Sequence, residues 1–140
     1  LPLADVHMVP PDTDVAPASD LDLRLFRVNA DGTLTQVASS GGATSNEEMN
    51  LVNPTAGTYV LAIDGYATGN PTAYKAFVWR LGSTSTGNMA VAAPATATLG
   101  ATGNVDLTFS GLTPGVRYLG SVAYDGAAGM PSPTIVRVDP

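Results

Sequence analysis

The sequence predicts an all-β protein: an antiparallel β-sandwich, jelly-roll or immunoglobulin-like, built as two closely packed units. Three observations predict it. Apolar and polar residues alternate with period two from end to end, the pattern of strands that bury one face. The 140 residues include 15 Gly and 11 Pro, a supply of turn formers that disfavours long helices. Turn signatures such as Asn29-Ala-Asp-Gly32 punctuate the alternating stretches.

Taken in order, residues 6–9 read as a first strand. Residues 10–19 carry too many prolines for a central strand and form a loop or an edge. Leu21, Leu23 and Leu25 then face one way, with Asp22 and Arg24 the other. At Phe26 and Val28 the apolar phase flips by one, which a bulge or burial of both faces would explain. Asp31-Gly32 suits a tight turn, and residues 34–39 return as the hairpin partner. Residues 39–45, rich in Ser and Gly, form a flexible loop. Residues 48–52 read as a short strand with Met49 and Leu51 inward. Tyr59, Leu61 and Ile63 alternate with Val60, Ala62 and Asp64, and both faces are apolar enough for a central strand. After a loop at 67–71, residues 73–81 form the next strand. Phe77 and Trp79 share one face of it, with Tyr74 on the other.

Gly82-Ser-Thr-Ser-Thr-Gly87 has linker composition and divides the chain into units 1–82 and 83–140. Strands are expected at 89–92, 95–99, 105–109, 118–124 and 135–138. Val105, Leu107 and Phe109 alternate with Asp106, Thr108 and Ser110, so that strand has one wet face. A weak internal echo links the units. Leu51, Pro54, Gly57, Tyr59 and Ile63-Asp-Gly-Tyr66 parallel Leu112, Pro114-Gly115, Tyr118 and Tyr124-Asp-Gly126. A shared cause would be a tyrosine hydroxyl bonding across a corner.

Composition also bounds function. The net charge is −6, with one lysine, Lys75, and scattered arginines. Clustered cations for nucleic acid are lacking, and an anionic membrane surface would repel the chain. Apolar residues make up 44 %, enough for a real core. With no cysteine there are no disulfides, thiolate metal sites or cysteine nucleophiles. No apolar run approaches the ~18 residues that span a bilayer. Asn53-Pro-Thr55 and Asn70-Pro-Thr72 are blocked as glycosylation acceptors by the intervening proline. The start at Leu1, without initiator Met or signal peptide, reads as a processed or excised piece of something longer.

Candidate chemistry is sparse. The sole histidine, His7, would be the only base for a Ser/His/Asp triad, and no Gly-x-Ser-x-Gly elbow accompanies it. Zinc wants several His or Cys ligands, which leaves calcium as the metal to consider. Asp20, Asp22, Glu47 and Glu48 are its candidate donors, with Asp12 and Asp14 as neighbours. The alternative places Asp22 and Glu48 on the wet faces of strands and Asp20 at a loop end. Glu47 and Glu48 are adjacent, so on a strand they point to opposite faces and cannot act as one pair. Asp64 and Asp106 are carboxylates that nothing in the sequence brings together. Tyr66, Tyr74 and Trp79 could form a sugar- or peptide-binding platform, although packing in the core is the better reading for Trp79.

Ser19-Asp-Leu-Asp-Leu-Arg-Leu-Phe-Arg-Val28, then Glu47-Glu48, then Asn53-Pro-Thr-Ala-Gly-Thr-Tyr-Val-Leu-Ala-Ile-Asp-Gly-Tyr66 occur in that order. Together they resemble the prepeptidase C-terminal domain, a β-sandwich module behind many secreted bacterial proteases. The resemblance spans residues 19–80. Gly111-Leu-Thr-Pro-Gly-Val-Arg-Tyr118 resembles the tyrosine-corner approach of fibronectin type III and immunoglobulin-like domains. The order of the two units looks like the tail of some actinobacterial subtilisin-like proteases. The resemblance implies a secreted, non-catalytic accessory domain, with calcium near the acidic positions and a serine protease domain upstream. Its partners would be that catalytic domain and a protein or peptide substrate. A carbohydrate- or matrix-binding module, or a structural spacer of a surface protein, is the alternative.

Overall fold

A computed structural model describes the backbone of residues 3–9, and residues 19–68, 73–126 and 128–140 in full. The expected proline-rich loop at 10–18 and most of the loop at 67–71 lie outside the described residues. The described residues contain strands and turns and no helix. They divide into two compact units, Pro2–Arg80 and Leu81–Pro140.

The first unit holds β1 (Leu3–Val9), β2 (Asp20–Val28), β3 (Leu34–Ser40), β4 (Glu47–Val52), β5 (Tyr59–Ala67) and β6 (Lys75–Leu81), whose last residue opens the second unit. They form two three-stranded sheets, ordered β4-β1-β6 and β3-β2-β5. β2 runs antiparallel to both β3 and β5 and is the central strand of its sheet. The composition of β5 had pointed to a central strand, but β5 is an outer one. Its apolar inner face needs only the core beneath it, and Val60 on the other face is exposed.

The expected leucine face of β2 is the core. Leu21, Leu23 and Leu25 are 5 %, 0 % and 6 % exposed. Met49 from β4 joins them, with Ala38, Leu51, Tyr59, Leu61 and Ile63 packed around. The core thus draws on both sheets.

Phe26 and Val28 fall on the face of β2 opposite the leucines and are half-buried there, so both faces gain cover at that end of the strand. The bulge nearby lies in the partner strand. Leu25 lies opposite Ala38 and Phe26 opposite Gln36, so Val37 is an extra residue in β3. The pairing of β2 with β5 runs on unbroken at the same place. A second irregularity lies at the other end of β2. Asp20 faces Ala67 and Leu21 faces Gly65, which leaves Tyr66 unpaired and exposed.

The β2–β3 hairpin closes as its sequence predicts. The Asn29 amide N–H donates to the Thr33 carbonyl at 2.8 Å, and Asp31 Oδ1 accepts from the Thr33 N–H and hydroxyl. On β6, Phe77 and Trp79 stack with ring centroids 5.6 Å apart. Trp79 is half-buried and lies outside the leucine cluster, so its cover is thinner than a core position provides. Tyr74 precedes β6 and so is not on that strand's opposite face.

The second unit holds β7 (Met89–Ala92), β8 (Asp106–Phe109), β9 (Tyr118–Val122) and β10 (Thr134–Val138). β7 pairs with β8, and β9 with β10, both antiparallel. The strand expected at 95–99 is absent. That segment has no ladder partner, and its end folds into a turn in which the Ala101 N–H meets the Thr98 carbonyl at 3.0 Å, with Leu99 fully exposed. A strand needs a neighbour for its backbone groups, whatever its composition. Val122 is the one buried apolar side chain among the described residues of this unit.

Both echoed tyrosines bond to backbone just upstream. The Tyr59 hydroxyl donates to the Thr55 carbonyl at 2.5 Å, and the Tyr118 hydroxyl accepts from the Thr113 N–H at 3.0 Å. That donation holds the Tyr118 phenol below its ordinary pKa. The turn between Thr113 and Tyr118 needs its glycine. Val116 N–H reaches the Thr113 carbonyl, and Gly115 adopts φ 79° at the third turn position, after Pro114 at the second.

Candidate functional site

The acids singled out in the sequence gather at one end of β2, around the loop that joins β3 to β4. Alternation fixes Asp20 and Asp22 on the face opposite the core leucines. Directly across the ladder from Asp22 stands Asp64 on β5, an unfavourable like-charge pair. Arg24, two residues along β2, relieves it by reaching Asp64 Oδ2 at 2.8 Å. Both partners are well exposed, so this bridge is worth at most about 1 kcal/mol.

Glu47 is the buried acid, at 4 % exposure. It opens β4 in phase with Met49, which turns its side chain inward. Its carboxylate is not left bare: the Ser40 hydroxyl donates to Oε2, and the Gly42 N–H donates to Oε1 at 2.9 Å. The Ser40 oxygen also accepts from the Glu48 N–H at 3.3 Å, so one hydroxyl ties β3 to β4. Such donors offset the cost of burying a carboxyl group.

The loop reaches both carboxyls because its first two residues are glycines. A Cβ on Gly41 would sit 3.0 Å from the Asp22 carboxyl carbon, and one on Gly42 would sit 3.2 Å from Glu47 Oε1. Ser45, also buried, closes the far end. Its hydroxyl accepts from the Leu21 N–H at 3.1 Å and donates to the Ser19 carbonyl at 2.7 Å.

This enclosure sets the protonation of Asp22. Burial first, then the charges of Asp20, Glu47 and Asp64, push its carboxyl above the usual carboxylate value, with Arg24 opposing. One oxygen each of Asp20 and Asp22, Oδ1 in both, is buried without a hydrogen-bond partner among the described residues.

Of the four candidate calcium donors, the structure brings Asp20, Asp22 and Glu47 into one electrostatic neighbourhood. It sets Glu48 apart, on the opposite face of β4, where Asn50 Nδ2 donates to it at 2.5 Å. Calcium takes six to eight oxygens. Among the described residues no group of three or more His, Asp or Glu side chains is arranged to hold a metal ion. Glu47 accepts one hydrogen bond at each oxygen, from Ser40 and from Gly42. Asp12 and Asp14, the neighbouring acids expected to join the four candidate donors, lie outside the described residues.

The remaining candidates are dispersed. His7 falls in β1 at the register position opposite Glu48. Asp64 is engaged by Arg24, and Asp106 opens β8 in the other unit. Tyr66 and Tyr74 are exposed, whereas Trp79 is stacked on Phe77. Sequence reasoning missed the burial of Glu47, although its phase with Met49 signalled it. It also missed Ser40 and Ser45, whose partners are too distant along the chain for local pattern to reveal.

No protein-family model matches this chain, and neither a curated protein nor a solved structure matches it significantly.

Proposed function

We propose that the chain is a non-catalytic accessory module of a secreted subtilisin-like serine protease, a β-sandwich that follows the catalytic domain. One observation supports this above the others. The three separated stretches that carry the resemblance pack around a single leucine core: the Asp-x-Asp strand β2, the Glu47 end of β4 and the Tyr59 entry to β5. Arg27 adds a tie between the first and last, its guanidinium donating to the Ala56 carbonyl at 3.4 Å. A pattern whose parts cooperate in one core is a structural unit rather than a chance run of β residues.

The module's role is to assist: to stabilise the parent enzyme, to help its maturation or export, or to present a protein substrate. Presentation would use an outer strand, onto which an extended peptide can add by main-chain hydrogen bonds. Its partner is the parent catalytic domain, outside the cell, with no nucleic acid or membrane involved. The test is the parent reading frame upstream of Leu1, joined to an assay. Subtilisin-like Asp, His and Ser blocks should precede this chain, residues 1–140 alone should not cleave casein, and deleting them should lower the yield of active secreted enzyme. Tandem repeats or a cell-wall anchor upstream would replace the protease with a spacer.

The exposed rings of Tyr66 and Tyr74 favour a second reading, a carbohydrate- or matrix-binding module. Retention of the wild-type chain on polysaccharide, lost on replacing both tyrosines with alanine, would select it.

A further inference from the structure

The chain contains three Asp-Gly steps: Asp31-Gly32, Asp64-Gly65 and Asp125-Gly126. Each is chemically able to cyclise. The glycine amide nitrogen attacks Cγ of the preceding aspartate, a C–N bond forms, and the carboxyl loses one oxygen as water. Water then opens the resulting succinimide at either carbonyl. Opening at Cγ restores aspartate, whereas opening at the main-chain carbon gives isoaspartate. The sum is an isomerisation with no change in mass and no oxidant, reductant or cofactor. Glycine favours it because no Cβ hinders the approach of its nitrogen.

The fold treats the three steps differently. At Asp31 the carboxylate accepts two hydrogen bonds, from the Thr33 hydroxyl at 2.6 Å and the Thr33 N–H at 3.0 Å. These hold that carboxyl below its ordinary pKa, and an ionised carboxylate is the poorer electrophile. The nucleophile is occupied too, since the Gly32 N–H donates to the Asn29 carbonyl at 3.0 Å. At Asp64 the carboxylate pairs with Arg24, and Gly65 is fixed in the ladder opposite Leu21. Asp125 and Gly126 sit outside any strand, in the connection from β9 to β10, and both are exposed. Among the described residues, no hydrogen bond or ion pair holds the Asp125 carboxylate or the Gly126 amide.

We propose that Asp125 is a site of spontaneous isoaspartate formation, selected by the fold from three identical dipeptides. The modification inserts a methylene into the main chain directly after Tyr124. That residue ties the connection to β10 through its hydroxyl, 2.7 Å from Thr134 Oγ1. Isomerisation therefore strains the one side-chain clasp seen across the β9–β10 connection among the described residues. The inference stands independently of the accessory-module reading.

The experiment ages the purified chain at neutral pH and physiological temperature. Isoaspartate is located by electron-transfer fragmentation of its peptides and by isoaspartyl methyltransferase labelling. A parallel sample ages in urea. In the native sample isoaspartate should accumulate at residue 125 at least about tenfold faster than at 31 or 64, because each hydrogen bond to be broken slows cyclisation several-fold. In urea the three rates should converge. Asp125→Glu should remove the native signal, since its longer side chain does not close a five-membered ring. Equal native rates would overturn the proposal, as would faster reaction at 31 or 64. A preference for 125 that persists unchanged in urea would also overturn it, by placing the cause in sequence context rather than fold.

Discussion

Replacing Leu23 by alanine should unfold the first unit more readily than any other single truncation in it. Leu23 is fully buried, with Ile63 opposite on β5, Ser40 opposite on β3, and Leu21 and Leu25 on either side along its own face. Leu23→Ala removes three carbons, worth roughly 2.4 kcal/mol at about 0.8 kcal/mol each. The cavity adds to this, because strands pinned on both sides of β2 cannot collapse inward, and the total comes to about 3–4 kcal/mol. Trp79 is the sole tryptophan and lies in the same unit, so its fluorescence in a urea titration reads the transition directly. Leu34→Ala is the matched control. Leu34 is exposed, and its loss should change stability by less than about 0.5 kcal/mol. A Leu23→Ala cost below about 1 kcal/mol, or one no larger than that of Leu34→Ala, would mean that the leucine face of β2 is not the core.

Other outcomes follow from the same structure. Asp22→Asn should stabilise the protein at neutral pH. The folded carboxyl lies above its unfolded value of 3.8, so its contribution is full below that value and lost as pH rises through the higher folded one. The gain from the substitution should therefore vanish in acid, and a gain that grows as pH falls would contradict the enclosure of Asp22. Trp79→Ala should cost about 1–2 kcal/mol, less than a core aromatic, because the ring is half-buried and stacks chiefly on Phe77. Tyr59→Phe should cost about 1 kcal/mol through the lost bond to Thr55, and no change would mean that water replaces it freely. Chelation by EDTA should leave the unfolding midpoint unchanged. A drop reversed by calcium would require ligands beyond the described residues.

Local pattern revealed what depends on neighbours along the chain. The alternation of Leu21, Leu23 and Leu25, the Asp31-Gly32 turn and the tyrosine hydroxyl bonds were legible because each is set within a few residues. The phase flip at Phe26 was visible too, but the strand that carries the bulge beside it was not. The extra residue, Val37, lies in the partner strand, and only pairing exposes it. Residues 95–99 have strand composition, yet composition cannot say whether a partner exists. At the acidic loop the four acids were legible as a group of charges. The division of labour among them was not, because Ser40, Gly42 and Ser45 act across the fold. Alternation already offered Glu48 as an outward residue; that the same phase with Met49 encloses Glu47 was present in the sequence and not used.

The added residue at Val37 also governs what the outer edge of β3 can accept. An outer strand offers unpaired N–H and C=O groups to any extended chain, including another copy of itself. Here the two segments Leu34–Gln36 and Ala38–Ser40 are offset from each other by one residue. A flat incoming strand in register with one is out of register with the other. Leu34 and Val37 would otherwise make this edge an adhesive one, since both are exposed. The irregularity thus works as protection against fibre growth, reinforced by a net charge of −6 that keeps copies apart.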